Sequence, residues 1–438
     1  MSLWKIAWRS MQQRALASSL TGVSMALGVM LVVAVLTAHA IISRSFSSGP
    51  SLPYNVVVGK PGGDLQMVLN AVYYMDRPVE NLPYAYYEEF LPKKPDKKPP
   101  EQKPNAKLDD SFPAFKYRSD DRDGEFAEYC DAAIPVCLGD YYENFRVIGT
   151  TPQFFEDVGP PYNIHYAFAE GENFKQQNYF DIVIGSIVHN KTGLKVGDKI
   201  KLRHGSETGS LHGQEFTVAG VLGATGTPVD KGVFINMEDD FKLEGHVGGR
   251  KEVTAILIRL TGKFGLPELL SDSFIPLINK GKDARAVMPI GQIAKMFDQF
   301  INPLLAVLLV LAVLVVVVSG IGILVSIYNS MSERQHEIAV MRALGAGRST
   351  VMRIVLLESI LLALGGGLLG FFAGHVLIFA TGPWITSLTG FPVGLLQSGT
   401  IYELILVPGL IGLAALVGFL PALSAYRTDV AKALTANP

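Results

Sequence analysis

Apolar residues in this chain gather into four long runs, 15–43, 303–328, 359–383 and 404–426, and none of the four contains Asp, Glu, Lys or Arg. A bilayer core about 30 Å thick needs roughly 20 apolar residues in helix, so each run predicts a membrane span. The run at 303–328 holds 18 Leu, Ile or Val residues. Each favours insertion by about 0.3–0.6 kcal/mol at the helix centre. A buried helix of a soluble core would instead be shorter and show a polar face. The segment 44–302 has a different pattern. Short β-branched runs start at Tyr54 (YNVVVGK), Phe145 (FRVIGT), Phe180 (FDIVIGS), Glu215 (EFTVAGVL) and Val253 (VTAILIRL), and Leu266 to Asn279 reads as a helix. The predicted fold is a membrane protein of four transmembrane α-helices, with a large mixed α/β extracytoplasmic domain inserted between the first and the second.

Orientation follows from the positive charges. Lys5, Arg9 and Arg14 precede the first run, Arg334, Arg342, Arg348 and Arg353 lie between the second and third, and Arg427 and Lys432 follow the fourth. The segment from Trp384 to Glu403 has neither Lys nor Arg. The positive-inside rule then puts both termini in the cytoplasm. The expected order is a cytoplasmic amphipathic segment at 1–14, an outer domain at 44–302, a cytoplasmic hairpin at 329–358, a short outer loop at 384–403 and a cytoplasmic tail at 427–438. Ala38-His39-Ala40 has the form of a leader cleavage site, but the first run is about twice a usual leader core and is read as a span.

Composition narrows the function. Of the 438 residues, 18% are charged against about 25% in soluble chains. Lys and Arg number 38 against 40 Asp and Glu, which argues against a nucleic-acid partner. The segment 91–107 carries six Lys and five Pro with no aromatic or β-branched residue, and reads as an exposed insertion of unspecified role. Cys130 and Cys137 lie where a disulfide is permitted; a bonded pair closing a small loop is expected, two free thiols being the alternative. His204, His212 and His246 match no standard metal spacing and are expected as exposed loop residues. His39 and His375 fall within predicted spans, where neutral imidazole can hydrogen-bond between helices. Ser18, Gly22 and Ala26 in the first run, and Gly366, Gly370 and Gly374 in the third, repeat small residues every four positions and predict close helix packing.

The hairpin between the second and third runs carries the sharpest pattern. Ile338, Met341 and Leu344 recur every third residue as an apolar edge, with Glu333, Arg334, Glu337 and Arg342 around it. Gly345-Ala346-Gly347 stops this helix, and Ser349 or Thr350 is expected to cap the next. Such a helix suits docking into a groove on a partner, and periodicity alone leaves a merely interfacial helix equally open. No G-x-x-x-x-G-K-[ST] occurs in the chain, so ATP hydrolysis is not assigned to it. No H-E-x-x-H occurs either.

The segment HEIAVMRALGAGRSTVMRIVLLESILLALGGGLLG resembles permeases of the MacB, LolC and FtsX type from ABC transporters. So do the C-terminal PALSAYRTDVAKALTANP, apart from Val430 where Pro is common, and the N-terminal SLWKIAWRSMQQRALASSLTGVSMALGVML. VIGSIVHNKTGLKVGDKIKL and FTVAGVLGATGTPVDKGVFI look like the family's outer domain. The resemblance implies a stand-alone permease subunit of the bacterial inner membrane, with contact to a separate ATPase through Glu333 to Ala346. Carried over by position, Glu337, Ile338, Arg342, Ala343, Leu344, Gly345 and Ala346 are the contact residues. Ile338, Met341 and Leu344 would anchor and Glu333, Glu337 and Arg342 would orient. No cofactor is expected on this chain, ATP and Mg belonging to the ATPase. A second permease copy or a related permease is expected as partner, with membrane lipid and a periplasmic adaptor or substrate protein as further contacts. The implied work is export or extraction of a lipophilic, peptide or lipoprotein substrate. An FtsX-like regulator of cell-wall hydrolases is the alternative, usually with a smaller outer domain, and an ATP-independent receptor or scaffold is a third reading.

Overall fold

The computed structural model describes residues 3–46, 52–75, 80–94, 116–156, 164–175, 178–238, 251–261, 267–333, 335–389 and 401–427. The chain divides into two compact units. One comprises Met1–Arg44, Gln299–Thr386 and Pro392–Pro438, and the other Ser45–Asp298 with Ser387–Phe391. Helices along the chain are α1 (Leu3–Gln13), α2 (Ala15–Phe46), α3 (Asp64–Ala71), α4 (Tyr84–Glu88), α5 (Ser186–Thr192), α6 (Pro267–Asn279), α7 (Pro289–Met296), α8 (Asn302–Glu333), α9 (Gln335–Ala343), α10 (Arg348–Thr389) and α11 (Ile401–Arg427). Strands are β1 (Val56–Gly59), β2 (Leu82–Pro83), β3 (Cys130–Tyr142), β4 (Phe145–Thr150), β5 (Phe168–Gly171), β6 (Asp181–Ile184), β7 (Lys199–Ile200), β8 (Phe216–Leu222), β9 (Val233–Asn236), β10 (Glu252–Val253), β11 (Ala255–Leu260) and β12 (Arg285–Val287).

The first unit is helical. Three stretches among the described residues are long and apolar enough to cross a membrane: Ala15–Ile41, Pro289–Met331 and Arg348–Trp384. Within α11 the described apolar stretch is Pro408–Leu423, shorter than a span. A π-helical turn at Phe297–Ile301 leads into α8. Its cause is local: Pro303 lacks an N–H and its ring crowds the carbonyl four residues back, and one wider turn relieves both.

Glycine sets how closely α2 and α10 pack. A Cβ on Gly366 would stand 2.7 Å from the Gly22 carbonyl oxygen, one on Gly370 2.4 Å from that of Ala26, and one on Gly374 2.8 Å from Val33 Cγ1. Only a missing side chain allows such an approach. Ser18 lies one turn before this contact, its carbonyl accepting from the Thr21 hydroxyl at 3.0 Å. Ser319 of α8 donates to the Ser24 carbonyl oxygen at 3.0 Å, adding a polar link to α2 where hydrocarbon offers no other partner. His375 Nδ1 lies 3.1 Å from the Phe371 carbonyl oxygen, one turn back in its own helix.

The second unit is built on one mixed sheet, ordered β12-β1-β11-β3-β4-β9-β6-β8-β5, with β7 on β8. From β12 to β4 the neighbours are antiparallel, whereas β4 with β9 and β6 with β8 are parallel. Both faces are covered, which is why the strand runs read as continuous apolar stretches without alternation. Val57 and Leu257 face one buried cluster with Phe154 and Phe234. Val56, Val58, Ile256 and Ile258 face another with Tyr87, Phe90 and Phe274. The 91–107 insertion falls largely outside the described residues, but its neck is closed. Arg118 N donates to the Pro92 carbonyl oxygen at 2.8 Å and Gly124 N to that of Leu91 at 3.0 Å. Glu89 accepts from the Arg122 guanidinium at 2.6 and 3.0 Å. These bonds, with the Glu125 amide and Arg118, hold the Glu89 carboxyl down to about 2.

The GATGTPVDKG turn after β8 is organised by one carboxylate. Buried Asp230 accepts from Thr225 N at 2.9 Å, Thr225 Oγ1 at 2.9 Å and Gly226 N at 2.8 Å, and Gly226 has φ +67°. Asp230→Asn removes the charge from these bonds and turns an amide N–H₂ toward at least one donor. The expected loss is about 1–2 kcal/mol. The full chain should melt about 2–6 °C lower by near-UV circular dichroism, and an unchanged midpoint would contradict this role for Asp230.

Two expectations fail in this unit. Cys130 and Cys137 are unbridged thiols on the single strand β3. At about 3.3 Å per residue their Cα atoms stand roughly 20 Å apart, several times the reach of a disulfide. Cys130 Sγ instead donates to the Phe126 carbonyl oxygen at 3.3 Å, and burial pushes its thiol well up. Among the three loop histidines, His204 is 48% exposed as expected, but the His212 side chain is only 2% exposed because its loop folds back onto β3. His246 lies outside the described residues.

Candidate functional site

The hairpin joining α8 to α10 follows from local chemistry. α9 closes with Ala346 N donating to the Met341 carbonyl oxygen at 3.0 Å and Gly345 N to that of Arg342 at 3.1 Å. Gly345 has φ +102°, where a side chain would be strained. Gly347 begins the next helix, its carbonyl oxygen accepting from Thr350 N at 3.0 Å and Val351 N at 3.4 Å. Ser349 and Thr350, expected as caps, therefore lie inside the first turn of α10, which starts one residue ahead of Ser349.

The apolar edge read from the sequence divides in two. Ile338 is 4% exposed and Ala339 fully buried, both within the helical unit. Ile338 packs with Ile327, Val351, Val355 and Ala422, and half-buried Met341 lies against the same cluster. Leu344 is 84% exposed and Val340 39%. Three-residue steps on a helix of 3.6 residues per turn drift by about 60° each, so Leu344 no longer shares the face of Ile338. Ala343 and Gly345 are exposed beside it, and Ala346 is partly buried. Arg342 is also partly buried. Arg334 lies outside the described residues, as do the side chains of Glu333 and Glu337.

Below the hairpin sits a polar joint. Ser10 Oγ of α1 donates to the buried Glu358 Oε2 of α10 at 3.0 Å. A cavity of about 270 Å³ lies beside it, lined by Ile6, Ser10, Ile338, Met341, Val355 and Glu358 among others. Arg348, at the start of α10, stacks over the Tyr426 ring at 5.8 Å near the end of α11. The hairpin base is thus seated in apolar and polar contacts of the helical unit, while its tip presents an apolar ledge of Val340, Ala343 and Leu344 to the surroundings.

Comparison with known proteins gives matches over most of the chain. Residues 18–267 match the MacB-like periplasmic core domain and residues 309–430 the FtsX-like permease C-terminal family. A macrolide export ATP-binding/permease protein MacB of Rhodopirellula baltica is 31% identical over 152 residues, 34% of this chain and 21% of that protein. An uncharacterised ABC transporter permease of Methanocaldococcus jannaschii is 27% identical over 219 residues, 48% of this chain and 51% of that one. A MacB of Bordetella avium is 38% identical over 125 residues, 28% of this chain and 18% of that protein. The chain thus spans about a fifth to a half of the length of these relatives. The periplasmic region of MacB from Actinobacillus actinomycetemcomitans, a crystal structure, aligns with TM-score 0.34 at 10% identity, covering 59% of this chain and 96% of that one. With the core-domain family matching more than half of its length and the permease family following in order, the chain belongs to the MacB/FtsX-type permeases of ABC transporters.

Proposed function

We propose that the chain is the membrane subunit through which a separate cytoplasmic ATPase does work on the extracytoplasmic side. With α11 counted as a fourth span beside the three long apolar helices, the positive-inside rule supports a cytoplasmic side for both termini and the α9 hairpin, where nine positive charges would lie. The observation that carries the reading is the exposed Val340, Ala343 and Leu344 ledge on a hairpin whose base, at Ile338, is buried. An anchor that protrudes from a fixed base suits transmission of force, because the apolar tip binds while the seated base resists shear. Glu333, Glu337 and Arg342 orient the contact by charge. Much of α8 is bare, with Val307, Val310, Leu314 and Val318 exposed, a face for lipid that also leaves room for a second permease copy or a homologous permease beside it.

ATP and Mg act on the ATPase partner, and its closure moves the outer domains. The substrate is exported or extracted at the outer face and is of a lipophilic, peptide or lipoprotein kind. The macrolide exporters among its relatives favour this over control of a cell-wall hydrolase. The test is reconstitution of the full chain with its co-purifying ATPase in nanodiscs, with spin labels on the outer domains. ATP is expected to shift the distance between paired outer domains, and a distribution indifferent to ATP in a complex that hydrolyses it would sink the proposal.

A further inference from the structure

Asp140 is completely buried in the outer unit. It lies on β3 where pairing with β4 slips between Leu138 and Tyr141. The next residue, Tyr141, forms an antiparallel bridge with Arg203, and Arg203 forms a second with Leu211. These bridges are fully bonded. Tyr141 N donates to the Arg203 carbonyl oxygen at 2.9 Å and Arg203 N returns the bond at 2.8 Å, while His204 N donates to Ser210 O and His212 N to Leu202 O, both at 2.9 Å. Asp140, His204 and His212 therefore come from three adjacent backbone segments held in register by the main chain. The loop between the histidines depends on Gly209, where a Cβ would stand 1.8 Å from the His204 carbonyl oxygen.

The side chains converge. His212 Nε2 is 3.0 Å from Asp140 Oδ2 and His204 Nδ1 is 3.4 Å from Asp140 Oδ1. The imidazole rings are perpendicular with centroids 5.4 Å apart, and the three donor atoms all lie within 4.8 Å of one another. Among the described residues no other set of His, Cys, Asp and Glu meets this way. Ligands bonded to zinc at about 2.0–2.1 Å in a tetrahedron stand roughly 3.3 Å apart. The imidazoles meet Asp140 on different carboxylate oxygens, His212 at 3.0 Å from Oδ2 and His204 at 3.4 Å from Oδ1, and with one atom taken from each residue the three donors lie within 4.8 Å of one another. Drawing the three donors to that spacing takes a swing of the His204 ring, for which half exposure leaves room, whereas Asp140 and His212 are fixed by burial.

We infer that Asp140, His204 and His212 form a binding site for a divalent first-row transition-metal ion, zinc being the best match. Two imidazoles and one carboxylate are borderline donors that suit zinc and its neighbours, and they are too rich in nitrogen for calcium or magnesium. Three protein ligands leave a further position, on the exposed His204 side, for water. The ion ties the His204–His212 hairpin to β3, so its occupancy is linked to the shape of this surface of the outer domain. This site stands apart from the helical hairpin and does not rest on ATPase coupling.

The test uses the full chain in detergent, purified without a histidine tag, stripped with a chelator and titrated with Co²⁺ as a coloured stand-in for zinc. One equivalent should bind with the visible absorption of a low-symmetry nitrogen and oxygen site, and Zn²⁺ should displace it. His204→Gln and Asp140→Asn should each weaken binding by at least about tenfold. His204 is half exposed, so its variant keeps the fold even if that of Asp140 does not. Absence of a Co²⁺ band in the folded wild-type chain, or an equal band in His204→Gln, overturns the site and leaves an ordinary hydrogen-bonded Asp140 and His212 pair.

Discussion

A chain carrying Leu344→Asp is expected to lose its ATPase partner while keeping its helical unit intact. Leu344 is 84% exposed just beyond the last residue of α9, so in the isolated chain its side chain contributes little to folding. An apolar anchor at the centre of an interface contributes about 2–4 kcal/mol when truncated, and a carboxylate adds a desolvation cost. Affinity for the ATPase should therefore fall by roughly 30- to 700-fold, measured by co-purification and by titration of the two solubilised subunits. Ile338→Asp is the informative contrast. That substitution buries a charge at a site only 4% exposed, packed with Val351 and Val355, and it should lower the melting temperature as well as the affinity. If Leu344→Asp binds the ATPase as tightly as the wild type, the ledge is not the contact and the hairpin reading fails. Arg342→Glu should weaken the same contact, since reversing a charge at the rim costs steering and register.

How much of this could be read beforehand depends on whether the cause was local. Three of the four predicted spans were legible because lipid demands an unbroken apolar run, and the stop at Gly345 because only glycine takes its φ of +102° without strain. The strands β4, β6, β8 and β11 were legible from their β-branched runs, since both sheet faces are buried. β3 was not. Pro135 and Gly139 interrupt its sequence and argue against a central strand, yet it pairs with β11 and β4. The register that sets Cys137 opposite Gly149 places Pro135 where β4 has nearly run out, so the missing N–H is tolerated there. Missing β3 meant missing two consequences. The two cysteines look close in sequence but are held apart by the extended chain. Asp140 looks remote from His204 and His212 but is joined to them by a bridge that no local pattern encodes. The ledge shows the same division: helix and stop were written in the sequence, whereas which apolar residue would be buried depended on α8, α10 and α11 packing around Ile338.

Gly370→Leu is the second substitution expected to have a large effect, and it acts on the helical unit itself. The first atom of any side chain at this position would stand 2.4 Å from the Ala26 carbonyl oxygen and 2.9 Å from Val29 Cβ. The oxygen is main chain inside α2 and cannot rotate aside, so α2 and α10 must part along the whole contact, including at Gly366 and Gly374. Overpacking of this kind costs about 3 kcal/mol or more, because the dispersion attraction forfeited as the two helices separate adds to the strain of the inserted group. In lipid no hydrophobic drive restores the pair, since acyl chains solvate the separated helices as well as they solvate each other. The solubilised full chain should therefore lose its folded elution profile after mild heating that the wild type survives. Gly365→Ala, one position away from Gly366, meets nothing within 4 Å and should leave the profile unchanged, because a Cβ in open space inside a helix restricts the unfolded chain at no steric cost. Equal heat resistance of Gly370→Leu and wild type would show that α2 and α10 do not pack through these glycines.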